Sequence, residues 1–95
     1  MAEFQITSES GDGWSRITLV GEVDIAVADQ VREAIVENSD STVVVDLSGL
    51  TFIDSSGIAA LLIGRRQVEA GGNRLELRGA QESVRRIFEI VGLAD

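Results

Sequence analysis

Residues 54–57 read Asp-Ser-Ser-Gly and hold the densest chemistry in this 95-residue chain. They follow the apolar pair Phe52-Ile53 and precede the apolar run Ile58 to Ile63. The tetrapeptide therefore stands where an extended segment gives way to a helix. In open α/β sheets, sites gather at the carboxyl ends of strands, and the N–H groups of helix starts receive anions. Two readings of these residues stay open. Asp54, Ser55 or Ser56 caps the helix by accepting from its first N–H groups. Alternatively, one serine accepts a phosphoryl group, with Gly57 allowing close approach.

Other chemistries fail for want of parts. A nucleophilic serine needs a base within reach, and the chain has no histidine, lysine or cysteine. The Gly-x-Ser-x-Gly elbow is missing. An enzyme is not expected. Thiolate metal sites are excluded, and caps or solvated charges account for Asp24, Asp46 and Asp54 better than an all-carboxylate magnesium site does. No metal or cofactor is expected. Gly11-Asp12-Gly13 and Gly71-Gly72 are not strand-to-helix phosphate loops. Arg85-Arg86 reads as a solvated helix face.

Charge points to the kind of partner. The net charge is −8, and all eight bases are arginine. Residues 1–50 hold ten acids and two arginines, whereas residues 51–95 are balanced. This argues against nucleic acid, which demands a basic patch, and for a partner with a basic surface. No apolar run approaches the length of a membrane span, and the N-terminus lacks a secretory pattern. A cytoplasmic protein is expected.

The elements that must position these residues follow from periodicity. Phe4 to Thr7 and Trp14 to Val20 alternate around Ser10-Gly11-Asp12-Gly13, as a hairpin does. Gly21 to Asp24 leaves the strand, and Asp24 is placed to cap a helix. Helical spacing runs from Ile25 to about Asn38, with Val27, Ala28, Val31, Ala34 and Ile35 on one face. Thr42 to Leu47 is rich in β-branched residues and reads as a central strand. Ser48 to Ile53 reads as a connector or a short extended piece. A second helix runs from about 55 to 70. It is apolar on nearly every side at its start, so that start should be well buried. Arg74 to Arg78 alternates as a strand, and a last helix covers about 81–91, ended by Gly92.

The order β-β-α-β-α-β-α implies an α/β fold with a mixed, mostly parallel four-stranded sheet. Its helices should pack mainly on one face. Arg16, Thr18, Arg74, Glu76 and Arg78 should lie on the other, where Val44 needs a cover such as Trp14 or a partner.

Four blocks together suggest a family. They are Leu19-Val20-Gly21-Glu22-Val23-Asp24, Val45-Asp46-Leu47, Phe52 to Ile58, and Ser83 to Leu93. In this order they resemble the STAS domain, and more narrowly bacterial anti-sigma factor antagonists, also called anti-anti-sigma factors. The resemblance implies a STAS fold and partner switching. The unphosphorylated antagonist binds an anti-sigma factor with serine kinase activity and frees a sigma factor. Phosphorylation of the serine after the family's aspartate, here Ser55, switches it off, and a PP2C-type phosphatase reverses the step. The implied binding face comprises Asp24, Asp54, Ser55, Ser56 and Gly57. A monomer is expected when free. The chain reads as a single STAS domain over 1–95 that lacks the family's usual extra C-terminal strand and helix. That shortness matches an alternative, the STAS-type structural subunit of a phospholipid-transport ABC complex.

Overall fold

The computed structural model describes residues 3–93. Strands β1 (Phe4–Gly11) and β2 (Trp14–Val23) form the hairpin. Helix α1 (Ala28–Glu37), strand β3 (Thr42–Ile53), helix α2 (Ser55–Ala70), strand β4 (Leu75–Arg78) and helix α3 (Glu82–Val91) follow. The sheet order is β1-β2-β3-β4, with β1 antiparallel and the rest parallel.

Both crossovers, β2-α1-β3 and β3-α2-β4, step in the same direction. Right-handed connections then put α1 and α2 on one face. The core forms there: Ile17, Leu19, Val43, Val45, Leu47, Leu75 and Leu77 meet Val31, Ile35, Leu61, Val68, Val84 and Phe88. The expected one-faced architecture is observed. On the open face, Arg16, Val44 and Glu76 stand in register across three strands, as do Thr18, Asp46 and Arg78. Arg74 and Arg78 both bridge to Glu76. Trp14 does not cover Val44. Its indole lies over Gly11 of β1, where ring atoms come within 3 Å of the site a Cβ would occupy. Val44 is half-buried between the rows of Arg16 and Glu76.

Three boundaries differ from the sequence expectation. First, β2 continues through Gly21 to Val23, with register shifts between Thr18 and Val20 and between Gly21 and Glu22. Gly21 makes this possible: its φ is +100°, and a Cβ there would sit 1.7 Å from the Glu3 carbonyl oxygen. Only glycine permits both. Second, of the two readings of residues 48–53 the extended one holds, and the piece is continuous with β3 rather than separate from it. These residues pair with β2 as far as Ile53, so Asp46 lies within the strand rather than at its end. Third, α1 begins at Ala28, not Ile25. Residues 25–27 form a turn, and Ile25 is 80% exposed.

The start of α2 also departs from expectation. Gly57, Ala60, Leu61, Gly64 and Val68 face the core. Ile58 and Leu62 are only half-buried, and Ala59 and Ile63 are exposed. One packed layer covers one side of a helix, so an all-round apolar sequence leaves the other side in water.

Candidate functional site

The site lies at the carboxyl ends of β2 and β3, which the parallel register brings side by side. Val23 pairs with Ile53, and the Asp54 N–H donates to the Val23 carbonyl at 3.1 Å. The segments after the two strands are thus tied together at their first residue.

Asp54 is the N-cap of α2, with extended backbone at φ −100° and ψ −174°. Its Oδ1 accepts from the Ser56 N–H at 3.0 Å, the Gly57 N–H at 3.1 Å and the Ser56 hydroxyl at 2.5 Å. The Ser56 hydroxyl bond, then the Gly57 N–H, hold this carboxyl below its ordinary range despite some desolvation. The capping reading of the tetrapeptide therefore holds for Asp54.

Ser55 differs from its neighbour. It is the first residue of α2 and is exposed, and its hydroxyl has no hydrogen-bond partner among the described residues. Ser56 is half-buried and its hydroxyl is committed to Asp54. Gly57 is buried where α2 crosses the strand ends. A Cβ there would come within 2.6 Å of Ile53 Cγ1 and 2.7 Å of Val23 Cγ1. One sequence expectation changes here. The Ser56 and Gly57 N–H groups already serve Asp54, so they are not free to receive an anion.

Asp24 is not a helix cap. Its Oδ1 accepts from the Ala26 N–H at 2.9 Å, and its carbonyl accepts from Val27 and Ala28 at 3.1 and 3.0 Å. It closes the short turn that precedes α1, whose N-cap position is Val27 without a side-chain cap bond. Asp24 is exposed and forms no ion pair among the described residues; the same holds for Glu22. Asp24, Asp54, Ser55, Ser56 and Gly57 thus share one end of the molecule.

Asp46 belongs elsewhere, on the open sheet face. Its carboxyl is lowered by the Ser48 N–H and hydroxyl, and secondarily by Arg16. Among the described residues no three acids converge as a metal ligand set.

Sequence reasoning missed two apolar residues at the site. Ile25 is exposed in the turn after Asp24, and Phe52 is 48% exposed beside Glu22. A signal existed for Phe52: consecutive strand residues point to opposite faces, so Phe52 and Ile53 cannot both enter the core.

Known proteins share this fold. A family model described as "Mlab, STAS domain" matches residues 6–95. The anti-sigma F factor antagonist of Lysinibacillus sphaericus is 35% identical over 81 residues, covering 81% of this chain and 69% of that protein. The anti-sigma-B factor antagonist of Bacillus subtilis is 27% identical over 82 residues, covering 84% and 75%. Among solved structures, unphosphorylated SpoIIAA, an anti-sigma factor antagonist, superposes with a TM-score of 0.81 at 29% identity, covering 96% of this chain and 82% of its own. The phosphorylated form of the Bacillus cell fate determinant SpoIIAA gives 0.76 at 28% identity, covering 96% and 85%. The chain belongs to the STAS-domain family, and its matched relatives are anti-sigma factor antagonists.

Proposed function

We propose that this protein is a non-enzymatic anti-sigma factor antagonist, switched off by phosphorylation of Ser55. One observation carries the assignment to that serine. Ser55 presents an exposed, unengaged hydroxyl at the strand ends, while the neighbouring Ser56 hydroxyl is bound to Asp54.

The unmodified protein binds an anti-sigma factor with serine kinase activity through Asp24, Asp54, Ser55 and Ser56, and so releases a sigma factor; Gly57, expected on this face, is buried beneath it and seats the helix start instead. Glu22, Asp24 and Asp54 make that end acidic, which suits a basic partner surface. The kinase supplies ATP, and the γ-phosphoryl group passes to Ser55 Oγ as ADP leaves. Phosphate adds roughly −1.5 to −2 charges. It arrives beside Asp54 and Asp24, with the Ser56 and Gly57 N–H groups already serving Asp54. Repulsion then opposes rebinding without disturbing the core. A PP2C-type phosphatase restores the hydroxyl by hydrolysis, water taking the phosphoryl group away as inorganic phosphate. No described helix is long and apolar enough to cross a membrane, which accords with action in the cytoplasm.

The test is incubation with ATP and each candidate anti-sigma factor kinase of the same genome, followed by intact mass and site mapping. A single phosphate on Ser55, with loss of kinase binding, is expected. No modification by any of them overturns the proposal. Capture of a transporter ATPase instead would favour the ABC-complex reading.

A further inference from the structure

A polar recess lies at the other end of the sheet from Ser55, between the β1–β2 turn and the loop that joins α1 to β3. Its volume is about 240 Å³, and Ser10, Gly13, Trp14, Asp40 and Ser41 are among the residues that line it. The ten residues of β2 separate it from the strand ends that carry Asp54, a span of about 30 Å. Hydrogen bonds fix its walls. Ser15, 3% exposed, places its hydroxyl 3.0 Å from Asn38 Oδ1 and 2.9 Å from the Ser41 hydroxyl. The Asn38 side-chain amide donates to the Ala34 carbonyl at 2.7 Å, and the Thr42 N–H donates to the Gly13 carbonyl at 3.0 Å. Turn and loop are thus tied to each other before any ligand arrives, which lowers the cost of binding one.

Two lining groups are left unused by the fold. Trp14 is 40% exposed, with its indole over Gly11 and outside the core. Asp40 is exposed, and its carboxylate has neither an ion pair nor a hydrogen bond among the described residues. No basic side chain among the described residues lines the recess, and Asp12 in the adjoining turn adds a second negative charge. An exposed indole beside an unpaired carboxylate attracts an organic cation. Guanidinium suits the pair better than ammonium: it is planar, stacks on aromatic rings, directs two N–H groups onto one carboxylate and is more weakly hydrated. The Ser41 hydroxyl donates to the Asn38 carbonyl at 2.8 Å and keeps an acceptor lone pair for a further N–H. The volume falls below the roughly 300–1,000 Å³ of sites for drug-sized ligands, so the recess admits a head group and excludes a nucleotide. We propose that it is a guanidinium-binding site, built on Trp14, Asp40 and Ser41, that takes an arginine side chain of another protein or a small free guanidine.

Trp14 is the chain's one tryptophan and tyrosine is absent, so intrinsic fluorescence reports on this recess alone. The full chain is titrated with ethylguanidinium, with an acetylated and amidated Gly-Arg-Gly peptide, and with the neutral Gly-Gln-Gly counterpart. Both guanidinium probes should change Trp14 emission saturably at millimolar concentration, and the neutral peptide should not. The tighter of the two cationic probes names the source: the peptide a partner's arginine, ethylguanidinium a free small molecule. Asp40→Asn should weaken binding at least fivefold with melting temperature unchanged. Asp29→Asn removes the same charge from the exposed first turn of α1, at the far end of that helix, and should bind as wild type. A change that rises linearly without saturation overturns the proposal, as does equal binding of the neutral peptide. Equal midpoints in wild type and Asp40→Asn, or equal losses in Asp40→Asn and Asp29→Asn, overturn it as well. None of these outcomes depends on whether Ser55 is phosphorylated.

Discussion

The Ser56 hydroxyl donates to Asp54 Oδ1 at 2.5 Å, and this bond separates two adjacent serines by role. Ser56 is spent on holding the cap, and Ser55 is left with a free hydroxyl. Ser55→Ala should abolish phosphorylation while keeping kinase affinity. Ser56→Ala should still be phosphorylated, at residue 55, with a lower melting temperature. Peptide mapping of the two variants decides. Phosphate on Ser56 in the Ser55→Ala protein would reverse the assignment.

The same carboxylate makes acid stability legible. Asp54 has a folded pKa below its unfolded value, chiefly because of the Ser56 hydroxyl and then the Gly57 N–H. A depressed carboxyl stabilises the fold above the unfolded pKa, and that stability is lost as pH falls through the folded pKa. Asp46 has the same sign, from Ser48. The melting temperature should therefore drop as pH falls from about 5 through the ordinary aspartate range and on below it. Asp54→Asn keeps an acceptor but cannot titrate, so its profile should be flatter over that window. Superimposable profiles would show that the cap does not titrate with folding.

A cap within residues 54–56 and the three helices were legible from local spacing, and the one-sided sheet from strand alternation with right-handed crossovers. The second half of β3 was legible only as one of two readings. Ser48, Gly49 and Thr51 look like loop residues, yet Gly49 and Thr51 fit the strand for reasons outside the segment. Gly49 lies where a Cβ would meet Val20 Cγ2 at 3.0 Å, and the Thr51 hydroxyl donates to the Gly21 carbonyl at 3.1 Å. Asp24 was misread as a helix cap because its charge and its place before an apolar run suit one. Asp24 instead closes the intervening turn at 25–27, and β2 reaches Val23, just before it, by pairing with Ile53, which no local pattern encodes. The exposure of Ile63 depends on how many layers cover α2, and a helix pattern alone does not contain that number.

Charge at the site should act on binding and not on the fold. Asp24→Asn retains the acceptor for the Ala26 N–H and removes one charge. Its stability should stay within about 0.5 kcal/mol of wild type, while kinase affinity falls. Ser55→Asp should weaken kinase binding by about tenfold or more, and added salt should reduce the difference. Calorimetry at two ionic strengths measures both. Affinities equal to wild type would remove the electrostatic account of switching.

Gly57→Ala sets two effects against each other. Alanine in place of glycine within a helix gains at most about 1 kcal/mol. Here the new Cβ would sit 2.6 Å from Ile53 Cγ1 and 2.7 Å from Val23 Cγ1, and both side chains are buried. Neither can swing into solvent, so the first turn of α2 must lift from the strand ends. Overpacking of this kind costs about 1–3 kcal/mol, which outweighs the helical gain. The variant should melt at a lower temperature. It should also be a poorer kinase substrate, because Ser55 and Asp54 ride on the turn that moves. Thermal denaturation and phosphorylation kinetics read the two effects separately. A variant that melts higher than wild type would show that the strand ends yield and that the tight contact at Gly57 does not set the position of Ser55.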